Sequence, residues 1–472
     1  MCEQLASGSA SKGWDVVLLT AASKPNARRE RRDGYTVLRR GGQFTVYFWA
    51  LAWLLSHRHT VRAVIDSENG IPFFTPLALP RRTPIVLLFH HVHLDQFSEY
   101  FPGPIAWVAR HLEGSVLRRV YGDRVIACVS PSTRRDVRVR LRLKGRVVVI
   151  PNGAPAPKPL LSSGERSNSP RIVCVGRLVP HKRPLAVLEA IVPALEEFPD
   201  LELHFVGDGP ERGPVSEAVR RLGLERHVRL HGAVPAQERD EIVRTSWLTV
   251  SASLREGWGL SILEANSWGV PAAAVRSVGL KDSIRHGETG WLAETEDQLG
   301  QVVHTALRQL REPEFAVAIA ARCRSWVRSF PWSTMINRFM ATLEQEELRL
   351  SFGERDRRAL SDLSAVVHLP IASLKTGALP GPVRATDEVV CMDDQIIMLL
   401  HGADTECADQ VLSRLGLNRA PPGPGEAGTE VRVARPTDLL VVRNLASWSS
   451  AAVALGGDET GSRAAMLYAE EA

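Results

Sequence analysis

Two glutamates, Glu256 and Glu264, lie eight positions apart in the stretch SLREGWGLSILEANSWGVP, Ser253 to Pro271. Eight is not a helical neighbour spacing when a loop intervenes. The pair acts together only if a turn re-aims one carboxylate toward the other, and Gly257-Trp258-Gly259 supplies that turn. Glu256 directly follows the apolar stretch WLTVSAS, so it sits on a loop at a strand's carboxyl end. SILEANSWG reads as the helix that this loop opens. The glycines let backbone approach a ligand closely, and the helix start offers unpaired N–H groups to an anion. Glu264, one turn into the helix, can accept two hydrogen bonds from vicinal hydroxyls. The implied ligand is a nucleotide whose ribose meets Glu264 and whose distal group meets Glu256.

A second constellation supplies charge. VGRLVPHKRP places Arg177 and Lys182 just beyond a strand end, on a Gly-led turn. An Arg fork and a Lys point charge suit a diphosphate. The bland alternative is a solvated turn with two surface cations, and the nearby glutamate pair weighs against it. In LLFHHVHLDQFSEYFPGP, His90, His91 and His93 follow another strand. One histidine is usually structural, but a cluster at a strand end points to function. His90 and His91 are the lead catalytic candidates, with His93 on the acceptor side. No carboxylate or His-Cys cluster of metal-binding spacing is visible. The two glutamates could also be a glycosidase's acid and nucleophile, but that leaves Arg177 and Lys182 without a role.

These residues need a frame. Through the first 150 residues WDVVLLTA, RAVIDS, PIVLLFHH, DRVIACVS and RVVVIPNG read as buried parallel strands, each followed by helix or loop. IPNGAPAPKPLLSSGERSNSPR then reads as a linker. RIVCVGRL, LELHFVGDGP, HVRLHGAV, WLTVSAS and PAAAV follow as strands, with VSEAVRRLGL and AQERDEIVRTS as helices. In PLAVLEAIVPALEEFP, Leu188, Ile191, Val192 and Leu195 fall on one helical face. The class is α/β, with two doubly wound parallel-sheet domains facing a cleft, and ligands are expected at the carboxyl ends of the strands. From about Leu350 a small α+β unit follows: LSDLSAVVHLPIASL, DEVVCMDDQIIMLLHG and VRVARPTDLLVV as strands, DTECADQVLSRLGL as a helix.

In order and spacing, VGRLVPHKRP, LHFVGDGP, VRLHGAVP, SLREGWGLSILEANSWGVP and GLKDSIRHGETGWL resemble the nucleotide-sugar domain of glycosyltransferase family 4, a GT-B fold family. The resemblance runs from Arg171 to Glu294. DSENGIPFFTPL and the His-His-Val-His run resemble a subgroup's acceptor domain, and FPWSTMINRFM resembles the family's closing helix, which returns to the first domain. The resemblance implies that Arg177 and Lys182 hold the donor diphosphate and Glu264 the ribose. Val234 would lie against the base. Glu256, with the backbone of Gly257, Trp258, Gly259 and Leu260, would contact the transferred sugar. The implied enzyme is a retaining hexosyltransferase that needs no metal or other cofactor. It would take a nucleotide-diphosphate sugar to a sugar or lipid-linked acceptor. The implied division is an acceptor domain over 1–150, a linker over 151–169, a donor domain over 170–348, a small α+β domain over 349–445 and a tail over 446–472. A catalytically silent nucleotide-sugar binder or scaffold, and a GT-B epimerase, are the alternatives.

The departures matter as well. CEQLASGSASKGWDVVLLTA matches only the helix and second strand of the family's opening, so the first strand and its Gly-rich loop are expected to be missing. The third region resembles a degenerate GGDEF domain, with Met392, Asp393, Asp394 and Gln395 at the signature turn and both of its glycines absent. That implies docking or regulation without cyclase chemistry.

The 472 residues carry a formal net charge of +5, with 44% hydrophobic and 24% charged residues, ordinary for a globular chain with anionic partners. Six cysteines without a CxxC pair, and no signal peptide, lead to a cytoplasmic expectation. The run Arg134 to Arg146, with six Arg and one Lys, reads first as a solvated helix and loop. Its functional alternative is peripheral contact with an anionic membrane at the inner face. No aromatics interleave with the charges, so nucleic acid is not expected. FTVYFWALAWLL is too short to span a bilayer and reads as a buried helix rather than an interfacial anchor.

Overall fold

The computed structural model describes residues 1–22, 27–143, 145–159, 166–352, 364–374, 379, 387–392, 395–401, 403, 405–417 and 429–433. Contacts divide it into a large unit, residues 1–145 with 149–355, and a second unit that takes 146–148 and the chain from 356 on.

The carboxyl-terminal half of the large unit is built on one six-stranded sheet. Its order is Val228–Gly232, Glu202–Val206, Arg171–Val175, Leu248–Ser251, Ala272–Val275, Gly290–Ala293. Every pairing is parallel. The chain builds outward from Arg171–Val175 in one direction, then returns to add Leu248–Ser251 on that strand's other side. A reversal of this kind opens a crevice at the carboxyl ends of the two adjacent strands. Ile172, Val173, Leu203, Phe205, Leu248 and Ala273 have no more than traces of exposed surface, so the sheet is covered on both faces. That burial is what the near-continuous apolar runs of these strands demand.

The amino-terminal half has the same alternation but two sheets. Val17–Thr20, Tyr35–Arg39 and Arg29–Arg32 form one, with the last pairing antiparallel. Val64–Glu68, Ile85–Phe89, Val125–Cys128 and Val147–Val149 form the other, in that order. Ile85–Phe89 is buried at every position. The outer edges of Val17–Thr20 and Val64–Glu68 pair with no described strand.

The helix Trp332–Phe352 continues a little past the expected Leu348 and returns to this half. It lies against the helix Cys2–Ser11, where the Ser9 hydroxyl is 3.3 Å from the Met340 sulfur. Ala154 donates its N–H to the Phe330 carbonyl at 2.7 Å, tying the connection between the halves to the start of that return.

Two expectations need correction, and one element was unforeseen. Val192 does not share the buried face of Leu188 and Ile191; it is 45% exposed. Pro193 ends the helix at Pro184–Ala190, and Val192–Ala194 continues as a short 3-10 turn. The apolar helix Thr45–Ser56 buries Val46, Ala50 and Leu54 but leaves Phe48 76% exposed, so it is buried on one face only. The hairpin Arg29–Arg39 was not anticipated.

The second unit holds a four-stranded antiparallel sheet, ordered Glu388–Met392, Gln395–His401, Ser364–Pro370, Glu430–Val433, with the helix Thr405–Arg414. The expected strands and helix are present. Asp393 and Asp394 of the proposed signature turn, and the tail, lie outside the described residues.

Candidate functional site

The crevice forms where the sheet reverses. Gly176, Arg177 and Leu178 continue from one central strand, and Ser251 and Ser253 from its neighbour. With Lys182 and Ser261 they line a shallow crevice. Two strand ends therefore place cations on one wall and hydroxyls on the other.

The Lys182 ammonium pairs with Glu256 Oε1 at 3.1 Å. Ser253 donates to the same oxygen at 2.9 Å. Glu256 is fixed from behind by its own N–H, which donates to the Val278 carbonyl at 2.9 Å. An ammonium has three donors, so pairing with Glu256 positions Lys182 without exhausting it. The Arg177 guanidinium makes no hydrogen bond or ion pair with a described residue, leaving its planar fork free for an anion. Lys182 also lies within electrostatic reach of Glu264. Glu256 is thus ion-paired with Lys182, whereas on Glu264 the Lys182 charge acts only as a minor influence, behind Arg239.

Gly259 makes that turn. It caps the helix Leu260–Ser267 from the left-handed region, with φ of +71°, where a side chain is strained. Burial raises the Glu264 carboxyl above its ordinary range, and Arg239 offsets part of the shift. Val234 is half-buried against the cluster of Val173, Val206 and Ile242, an apolar wall beside the same sheet. The Trp258 side chain is 3% exposed and meets Phe330 edge-on at 5.1 Å, so only its backbone can face a ligand.

The facing half approaches closely. A Cβ on Gly257 would lie 2.6 Å from the His90 carbonyl oxygen, so only glycine fits there. Arg255 bridges to Asp136 at 2.5 Å and to Asp95 at 3.4 Å. The basic run is partly spent on such contacts: Arg140 pairs with Asp95, and Arg138 donates to the Leu143 carbonyl. That favours the solvated-face reading of the run over a dedicated anion surface.

The three histidines are brought together but differ in state. His90 Nε2 is 3.1 Å from the Ser67 hydroxyl, and burial lowers its pKa to about 4. His91 Nε2 is 3.3 Å from Gln96 Oε1, and burial with the neighbouring His93 charge lowers it to about 3. Both are neutral near pH 7, suited to orienting a hydroxyl and too weakly basic to hold a proton. For His93 burial also pulls downward, but Glu113 and Glu68 outweigh it and raise the pKa to about 9. Its ring lies 3.9 Å from that of His91.

Glu68 and Glu113 were missed by sequence reasoning. Both are completely buried, and with His93 they bring ligand-type atoms within 4.8 Å of one another. This corrects the expectation that no metal-like cluster exists: the residues are far apart in sequence and no spacing rule joins them. Asp66, on the same strand as Glu68, ties down the loop that follows. It accepts hydrogen bonds from the Phe73 and Thr75 N–H groups, the Thr75 hydroxyl and the Tyr121 hydroxyl.

Comparison with known proteins bears on the family and the fold. Residues 1–156 match the model of Glycosyltransferase Family 4, and residues 161–326 that of Glycosyl transferases group 1. The chain is 28% identical over 249 residues to a GDP-mannose-dependent alpha-(1-6)-phosphatidylinositol monomannoside mannosyltransferase of Mycolicibacterium smegmatis, covering 49% of this chain and 65% of that protein. It is 28% identical over 228 residues to a D-inositol 3-phosphate glycosyltransferase of Thermobispora bispora, covering 45% and 53%. The chain thus spans less than two thirds of the length of these curated relatives. Sucrose-phosphate synthase of Thermosynechococcus elongatus superposes with a TM-score of 0.60 at 18% identity, over 73% of this chain and 92% of that one. Anabaena HepE in complex with UDP and glucose superposes at 0.53 and 18%, over 70% and 99%. At such identities the structural likeness establishes the GT-B fold alone.

Proposed function

This chain belongs to glycosyltransferase family 4, and from that premise we propose that it transfers a hexose from a nucleotide-diphosphate donor to a hydroxyl acceptor with retention of configuration. The observation that carries the reading is the crevice at the sheet reversal, where Arg177 is uncommitted and Lys182 is held by Glu256. Arg177 and Lys182 bind the diphosphate and stabilise the charge that grows on it as it leaves, a transition-state effect. Glu264 accepts from the ribose, and Val234 backs the base. Glu256 and the backbone from Gly257 to Leu260 meet the sugar. His90 and His91, both neutral, orient the acceptor hydroxyl, with His93 behind them, and the His90 backbone lies close to Gly257. Charge on the diphosphate is met by side chains, so the transfer itself calls for no metal or other cofactor.

The acceptor in this reading is a sugar or lipid-linked sugar presented at the inner face of a membrane to a cytoplasmic enzyme. No helix among the described residues is long and apolar enough to cross a membrane. Support for peripheral contact comes from the amino-terminal half, where Phe48 and Leu55 on one helix and Ile105 and Trp107 on another are exposed. Half-buried helices with outward aromatic groups suit an interface better than bulk water.

The test is incubation with a panel including GDP-mannose and UDP-glucose, with and without a membrane extract, followed by anomeric analysis of the product by NMR. A glycoside of unchanged configuration is expected. An inverted product would overturn retention. An epimer formed from donor alone would put an epimerase in its place. The divided amino-terminal sheet favours a second reading, a nucleotide-sugar binder without turnover. Tight nucleoside diphosphate binding with no product from any donor would select it.

A further inference from the structure

The cluster of Glu68, His93 and Glu113 has no part in donor binding, and it presents a physical problem. Two carboxylates with no exposed surface face one imidazole. Glu68 Oε1 accepts from the Gly70 N–H at 2.7 Å, and Glu113 Oε1 accepts from the His93 N–H at 2.6 Å. Beyond those contacts, Glu68 Oε2, Glu113 Oε2 and His93 Nδ1 are all buried without a hydrogen-bond partner. Orphaned buried polar atoms are rare, and each costs about 1–3 kcal/mol, more when charged. Here three such atoms belong to three side chains that bring ligand-type atoms within 4.8 Å of one another.

The separations bear on what kind of partner these atoms suit. His93 Nδ1 is 3.6 Å from Glu68 Oε1 and 3.7 Å from Glu113 Oε1. A protonated imidazole would draw an oxygen to about 2.7–3.2 Å to make a hydrogen bond. Donor atoms sharing one ion at about 2.1 Å in tetrahedral geometry sit about 3.4 Å from one another. The two separations from His93 Nδ1 are close to that value. The charge is compatible: a divalent ion balances both carboxylates with the imidazole neutral, where a single proton on the imidazole leaves one carboxylate uncompensated. One nitrogen and two carboxylates suit a transition ion better than magnesium or calcium, which prefer oxygen alone.

We propose that Glu68, His93 and Glu113 bind a single divalent transition-metal ion, of which zinc is the representative, as a structural centre of the amino-terminal half. The backbone supports the site from three directions. Glu68 ends the strand Val64–Glu68 and is in register with Phe89, the residue before His90. His93 follows that second strand. Glu113 lies in the π-helical segment Leu112–Val116, between the α-helices Gly103–His111 and Leu117–Tyr121. The wider turn rotates Glu113 inward, a use to which such bulges are often put. The ion fixes the loop after Phe89, and through the ring contact of His93 with His91 it positions the histidines on the acceptor side. It is a positioning centre and touches no reacting atom. The inference stands whether or not the chain turns over sugar.

Purified full-length chain should be stripped with EDTA, incubated with zinc chloride, desalted and assayed by inductively coupled plasma mass spectrometry and thermal melting. About one retained ion per chain and a raised melting temperature are expected, since metal bound to the folded state is folding free energy. Glu113→Gln and Glu68→Gln, which keep shape and remove charge, should each lose the retained ion and the zinc-dependent rise. Should either variant fail to fold, zinc-edge anomalous diffraction from wild-type crystals decides: a peak between the three side chains is required. A stripped wild-type chain that retains no zinc and gains no stability would overturn the proposal. So would an ion that survives in both variants or a peak located elsewhere.

Discussion

The donor half aligns six strands in one parallel sheet, whereas the acceptor half divides seven between a three-stranded and a four-stranded sheet. Both halves place their functional candidates directly after an interior strand: Arg177 after Arg171–Val175, His90 after Ile85–Phe89. The support differs. The donor strand has a parallel neighbour on each side, and both of those are also interior or capped by a further strand. In the acceptor half the neighbour that carries Ser67 and Glu68 is itself an edge. An edge strand leaves a row of backbone groups without ladder partners, so its position must be set by side chains and covering helices. The proposed donor site is therefore held by sheet geometry, and the proposed acceptor site by polar clusters: Asp66 with its hydroxyls, and His93 with two glutamates.

The largest break in this comparison comes from charge in the donor half. Arg177→Ala and Lys182→Ala should each lower kcat by about 10²–10³-fold, the usual loss for one donor that meets transition-state charge. Stability should change by no more than about 1 kcal/mol, because a partly exposed pair contributes little to folding. His90→Ala and His91→Ala should leave donor affinity intact, since their contacts are on the other side. Steady-state kinetics with calorimetric donor titration separates the two effects. If both cation variants keep normal turnover, the crevice at the sheet reversal is not the diphosphate site.

A smaller effect tests the ribose contact. Glu264→Ala should weaken donor binding by about 1–3 kcal/mol, for lost charge-assisted hydrogen bonds. The carboxyl's raised pKa adds a signature. Binding needs the ionised form as acceptor. Wild-type affinity should therefore fall on acidification at a pH above the ordinary carboxylate range, and the variant should lack that step. Equal affinities, or the same pH profile in both proteins, would remove Glu264 from the site.

What the sequence made legible follows the same division. Arg177, Lys182, Glu256 and Glu264 are set by backbone within a few residues of two strands, so short motifs locate them. The switch in strand order that joins those motifs is a property of the sheet, but alternating apolar runs already imply it. Val192 was misplaced because helical periodicity was carried through Pro193. The hairpin Arg29–Arg39 has a weakly apolar first strand, RERR, yet Asp33-Gly34 is a strong turn signal, and both residues adopt positive φ. That dipeptide could have revealed it. Glu68, His93 and Glu113 had no such signal. Their meeting depends on parallel register and on a π-helical turn, and neither has a local signature. Among the described residues, the edges at Val17–Thr20 and Val64–Glu68 belong to two separate sheets, a division that the apolar runs of the sequence did not signal.

The smallest effect probes how the acceptor half is strapped. Helix Cys2–Ser11 packs on Trp332–Phe352 at Gly8, where a Cβ would stand 2.2 Å from Ile336 Cδ1, 2.9 Å from Cγ1 and 3.3 Å from Cγ2. Turning the terminal methyl away relieves only the first contact, and a β-branched side chain in a helix has one strongly preferred rotamer. Gly8→Ala should gain about 0.8–1.0 kcal/mol of helix propensity and lose about 1–3 kcal/mol to overpacking. The net expectation is destabilisation of up to about 2 kcal/mol, confined to the acceptor half. Hydrogen exchange should then quicken in Val17–Thr20 and Val64–Glu68 while Arg171–Val175 and Leu248–Ser251 keep their protection, and donor affinity should not change. A uniform loss of protection across both halves would show that the return helix couples the two sheets into one cooperative unit, and the contrast between them would then be architectural without being energetic.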